Sequence, residues 1–145
     1  MCDHCHCRDI APIAELTAEH EEILRVAWEL AEHVRRTGAT SPGLRDELLR
    51  MLAIHVEAEE AALYPLLVTT GGLDPDRSAA LEREHDDLEA ALVHGTFDRR
   101  TYYELAAHIE EEEMDLFPQA MFGFDDEAWE LLAATPRFVT AEVGS

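Results

Sequence analysis

Two stretches of the chain repeat one pattern of reactive side chains. From His55 to Pro65 the sequence reads HVEAEEAALYP, and from His108 to Pro118 it reads HIEEEEMDLFP. Each sets a glutamate four residues after a histidine, which on a helix is one turn on and about 40° around the axis. Each then closes on leucine, an aromatic residue and proline. Two more histidines sit in a second repeated pair, EHEEI from Glu19 to Ile23 and EHDDL from Glu84 to Leu88. Taken singly, such residues are core histidines satisfied by a backbone carbonyl, or plain i,i+4 pairs. Their positions argue for more. His20 falls on the apolar stripe 13, 16, 20, 23, 27, 30, 34. His55 and Glu59 continue the stripe 44, 48, 52. His85 lies among Leu81, Leu88 and Leu92, and His108 with Glu112 lies between Leu105 and Leu116. Burying six such groups unpaired costs several kcal/mol each, and a metal cluster accounts for all six at once.

Ligand type narrows the metal. Structural zinc prefers four ligands, usually with thiolate, and calcium and magnesium prefer oxygen alone. Imidazole mixed with carboxylate around two ions suits iron or manganese in a helix bundle. Two octahedral ions offer about twelve positions. Four imidazoles, two bridging carboxylates and a bridging oxide or hydroxide leave room for a water, another side chain or a small diatomic or peroxidic ligand. His33 and His94 lie about 140° or more from the ligand stripes of their helices and are expected at the surface.

Helices must position these groups. Apolar spacing predicts a first helix over about 12–36, closed by TGATSPG, and a second over about 44–68, stopped by TTGG. Asp74-Pro75 opens a third to about His94, and Asp98 caps a fourth that continues to about Pro118. A short fifth helix is expected over about 125–134. No segment alternates with period two, so the fold class is all-α: an antiparallel up-down-up-down four-helix bundle with a short C-terminal fifth helix. Each hairpin donates one EH helix and one HxxxE helix, which makes the site pseudo-twofold. The expected organisation is a Cys/His-rich tail at 1–9, the bundle at 10–124, and a short helix and tail at 125–145.

Composition excludes other classes. The 145-residue chain carries a formal charge of -21, with 32 Asp and Glu against 11 Lys and Arg. That charge repels phosphate backbones and anionic lipid, so neither nucleic acid nor a membrane is expected as partner. No apolar run approaches the roughly 20 residues of a membrane span, and no secretory signal is evident, so the cytoplasm is the expected compartment. Cys2, Cys5 and Cys7 are no disulfide framework. With His4 and His6 they form a soft-ligand patch, read either as a plain tail or as a second metal or redox site.

His20, His55 with Glu59, His85, and His108 with Glu112, together with the LYP and LFP endings, resemble the hemerythrin-like (HHE cation-binding) domain over about residues 10–122. The resemblance implies a non-haem di-iron centre bridged by Glu59 and Glu112. Members bind oxygen, sense oxygen or iron, handle nitric oxide and peroxide, or help repair iron centres. Oxygen carriers of the family have HxxxH in the third helix, where this chain has His85 and Glu89, so Glu89 or water is expected in place of the fifth histidine. They also have HxxxxD in the fourth helix; of Glu112 and Glu113, Glu112 is favoured because its twin is Glu59. Tyr64, near Glu59, either reaches the site or packs the bundle. The expected function is redox chemistry on oxygen, peroxide or nitric oxide, with a redox partner protein. The alternative is non-enzymatic binding, sensing or storage of oxygen or iron.

Overall fold

The computed structural model describes residues 10–139, and every regular element among them is helical. Helix α1 (Ala11–Thr37) carries Pro12 in its first turn and Arg35 and Arg36 in its last, where cations complement the helix dipole. It stops at Gly38, whose φ of 75° lets its N–H reach the Val34 carbonyl. Helix α2 (Pro42–Ala58) is capped by Ser41, whose hydroxyl accepts the Leu44 N–H. A π-helical turn, π1 (Glu59–Leu63), then leads into α3 (Tyr64–Thr70). Helix α4 (Pro75–Val93) has Asp74 as its cap and proline at its first position. Helix α5 (Arg99–Glu111) opens on a capping box of Asp98 and Thr101. It passes through π2 (Glu112–Leu116) into α6 (Phe117–Gly123). Asp125 caps the short α7 (Asp126–Ala133).

The second and fourth rods differ from the expected uniform helices, and the cause is proline. Pro65 and Pro118 have no N–H for the carbonyl four residues back, and their rings crowd that carbonyl. Each rod responds by widening for one turn: the Tyr64 N–H bonds the Glu59 carbonyl, and the Phe117 N–H bonds that of Glu112. The α-helix then resumes with proline as its second residue, where the missing donor is tolerated. The fourth rod therefore runs on to Gly123 instead of ending at Pro118.

The four rods pack as an antiparallel bundle, with α7 against α1 and π1. Their interior is three layers deep. One apolar layer holds Leu16, Leu63, Leu81 and Phe117, and extends to Leu132 of α7. The other holds Ile23, Leu52, Leu88 and Ile109. Between them lies a layer of buried charge and imidazole. Helix α4 is the least enclosed rod, with only Ser78, Leu81, His85, Leu88 and Leu92 buried. Among the described residues no helix is long and apolar enough to cross a membrane.

Candidate metal centre

All six inward residues of the repeated motifs are buried in the middle layer. They form two groups of four: His20, His55, Glu59 and Glu112, and then Glu59, His85, His108 and Glu112. Within each group the ligand atoms lie within 4.8 Å of one another. The first hairpin supplies the two histidines of one group and the second hairpin those of the other. Glu59 and Glu112 belong to both.

A second ring of carboxylates aims the imidazoles. His55 Nδ1 bonds Glu19 at 2.7 Å, His108 Nδ1 bonds Glu84 at 2.7 Å, His20 Nδ1 bonds Glu113 at 2.8 Å, and His85 Nδ1 bonds Glu60 at 2.7 Å. An ionised carboxylate only accepts, so every Nδ1 carries the proton and donates. Every Nε2 thereby faces the centre, which is the arrangement that fixes tautomer and ring orientation in metal-ligating histidines. The four outer glutamates obey the same pseudo-symmetry as the ligands. Each glutamate of an EH pair holds the HxxxE histidine of its own hairpin. Each glutamate after HxxxE holds the EH histidine of the other hairpin. The repeated EH and the doubled glutamates at 59–60 and 112–113 were the sequence signal for these partners, and only their pairing across helices was hidden.

The inward face fits a pair of cations. His85 Nε2 and His108 Nε2 face each other at 3.0 Å, so protonating both sets two N–H donors against one another. His20 Nε2 and Glu112 Oε1 are buried without a hydrogen-bond partner, 3.1 Å apart. His55 Nε2 lies 3.0 Å from Glu59. Protons satisfy this set poorly, whereas cations shared by nitrogen and carboxylate oxygen satisfy each atom. Without a metal, burial disfavours charge on these imidazoles, but the carboxylates prevail. Glu112, Glu113 and Glu59 hold the His20 pKa well above its ordinary value. Burial lowers that of His108, yet Glu112, Glu59 and Glu84 push it up to about 10. His55 and His85 move the same way. Burial likewise opposes ionisation of Glu59, yet His55, His20 and His85 hold it well below the usual carboxylate range. Metal binding must displace those protons.

The pseudo-symmetry breaks where the aromatic residues meet the imidazoles. Tyr64 stacks on His85, with centroids 5.8 Å apart, and Phe117 stacks on His20 at 5.7 Å. These are the aromatic residues of LYP and LFP, five residues beyond their glutamates. The Tyr64 hydroxyl donates to Glu112 at 2.5 Å and lies 3.4 Å from Glu59, 3.4 Å from His85 Nε2 and 3.5 Å from His108 Nε2. Of the two readings of Tyr64, the structure supports the one that reaches the site. Burial first, then Glu112 and Glu59, raise its pKa and keep the phenol protonated in the metal-free protein.

Glu89 stands apart from both groups. It is exposed and lines a cleft of about 340 Å³ between α2 and α4. Glu89 stands one α-turn past His85, as Glu59 stands past His55, yet it joins neither group. A second cleft, about 410 Å³, opens between α4 and α5 down to His85 and His108, with Arg77 at its wall. Arg77 pairs with Glu111 and lies 3.3 Å from Glu84. Of the comparison histidines, His94 is exposed and His33 is partly buried, and neither joins a group. Cys2, His4, Cys5, His6 and Cys7 lie outside the described residues.

No curated protein and no solved structure matches the chain. The family model described as hemerythrin HHE cation binding domain matches residues 11–120, a span that contains every ligand candidate described above except the N-terminal Cys/His patch. The chain belongs to the hemerythrin HHE cation-binding family.

Proposed function

We propose that this protein holds two iron ions between Glu59 and Glu112 and uses them on dioxygen, hydrogen peroxide or nitric oxide. The observation that carries the reading is the set of four inward Nε2 atoms, each aimed by its own outer carboxylate, around two shared glutamates. His20 and His55 would hold one ion and His85 and His108 the other. A bound iron pair supplies electrons to, or takes up, a small oxidant or radical gas. The chain's own residues limit what arrives. A cavity of about 10 Å³ adjoins the centre, lined by His55, Glu59, His85, His108 and Glu112 with Ile23, Leu52, Leu88, Leu105 and Ile109. That is room for about one water-sized molecule, and its wall is mostly apolar. Tyr64 holds a proton at its hydroxyl within reach of the His85–His108 half. This phenol, and not the exposed Glu89, supports the redox reading. A net charge of -21 keeps nucleic acid out of the proposal.

Metal analysis of anaerobically purified protein tests it, with optical spectra before and after exposure to oxygen, peroxide and nitric oxide. About two irons per chain are expected. Glu59→Ala or Glu112→Ala should lose most of the metal, and His33→Ala and His94→Ala none. Equal loss at the last two would sink the ligand assignment. Oxygenation that stays reversible for hours would place the protein among carriers and not among redox enzymes.

A further inference from the structure

The two halves of the centre are braced differently, and the difference lies outside the bundle helices. Glu84, which holds His108, is 40 % exposed along its side chain and lies against Arg77 at the open cleft. Its counterpart Glu19, which holds His55, is fully buried. The second oxygen of Glu19 accepts the main-chain N–H of Phe138, at 3.0 Å. Phe138 lies far along the chain, past the end of α7. Leu132 of α7 belongs to one apolar layer and the Phe138 ring packs on the other. The segment between them therefore crosses the polar layer beside α1. Arg137 holds its turn. That side chain is 6 % exposed, donates to the Thr135 hydroxyl at 2.7 Å, the Pro136 carbonyl at 3.0 Å and the Leu132 carbonyl at 3.3 Å, and lies 3.6 Å from Glu15.

We propose that Thr135–Phe138 is a positioning strap of the metal centre, in which the Phe138 N–H orients Glu19 and, through it, His55. The inference rests on the metal reading of the two groups. A buried carboxylate oxygen stripped of its donor turns towards another one. The Nδ1 bond that fixes the His55 ring would then loosen. Outer partners of metal-bound histidine commonly control affinity about 10- to 100-fold. The strap thus makes the His20–His55 half the closed, tightly held one, and leaves the His85–His108 half facing the clefts.

Cobalt(II) bound to the full-length chain and withdrawn by a competing chelator tests this. Phe138→Pro deletes the N–H and Phe138→Ala keeps it. Phe138→Pro should weaken one of the two ions about tenfold or more, the same ion that remains bound in a His85→Ala background. Phe138→Ala should be clearly milder. In zinc-loaded protein the His55 Nδ1–H resonance should move in Phe138→Pro while that of His108 stays. Circular dichroism verifies that the proline variant keeps its helices; if it does not, Arg137→Met, which frees the turn while removing only one bond to the last turn of α7 and the contact with Glu15, must show the same one-ion weakening. Unchanged affinities, equal weakening of both ions, or an alanine variant as weak as the proline variant would overturn the strap. A native chain that binds no cobalt at all would overturn the metal reading itself.

Discussion

Four carboxylates outside the two candidate ligand groups decide which nitrogen of each histidine faces inward. Glu19, Glu60, Glu84 and Glu113 each occupy an Nδ1, so the ligand set depends on residues whose own positions look like ordinary acidic helix surface. At this scale the sharpest asymmetry is Tyr64 opposite Phe117. Tyr64→Phe would make the halves alike and strip Glu112 of a buried donor at 2.5 Å. Leaving such an acceptor unsatisfied costs about 1–3 kcal/mol. We expect that loss in urea unfolding of the metal-free protein, with m unchanged. A stability equal to that of the native chain would mean the phenol's partner is replaced by water.

At the scale of elements, the prolines explain why a histidine motif ends in LYP and LFP. On a regular helix a residue five positions past Glu59 lies about 140° away from it, which would carry Tyr64 out of the site. The wider π turn returns it to the inner face, and such turns are frequent at functional sites for this reason. Pro65→Ala restores the donor and removes the ring, so the rod can relax to a continuous α-helix. The metal-free variant should be as stable as the native chain or more so, yet bind metal about tenfold more weakly. Calorimetric unfolding and chelator competition read the two effects separately. A variant that gains stability and keeps full affinity would show that the turn is held by packing and not by proline.

Across the whole molecule, a charged layer sits between two apolar ones, and its stability depends on what neutralises it. In the metal-free protein Glu59 is held well below its ordinary 4.5. Its contribution is present above pH 4.5 and lost as the pH falls through the lowered value. The imidazoles are held above their ordinary 6.5, with His108 at about 10. Their contribution is complete below pH 6.5 and fades as the pH rises through the folded values. The metal-free bundle should therefore be most stable between about pH 4.5 and 6.5. The metal-loaded bundle, whose ions replace those protons, should lack the alkaline decline. Thermal unfolding across this range, with and without a chelator, checks both limbs; parallel curves would mean that the ions do not displace the histidine protons. Removing the first eight residues should leave the bundle's metal content intact, since every residue of the two groups lies at or beyond His20. Loss of metal on that truncation would tie Cys2, Cys5 and Cys7 to loading of the centre.

The sequence by itself determined the helices, their order, the inward placement of His20, His55, Glu59, His85, His108 and Glu112, and the family likeness. Each of these rests on periodicity, capping residues and an internal repeat, which are local along the chain. Tertiary structure decided what depends on groups distant in sequence meeting across the bundle. It paired Glu113 with His20 and Glu60 with His85, left Glu89 outside, and set Phe138 against Glu19. It also separated Tyr64 from Phe117 in role, since a hydroxyl becomes chemically active only where packing delivers it to buried acceptors. Periodicity tells which face of a helix turns inward; only packing tells which atoms wait there.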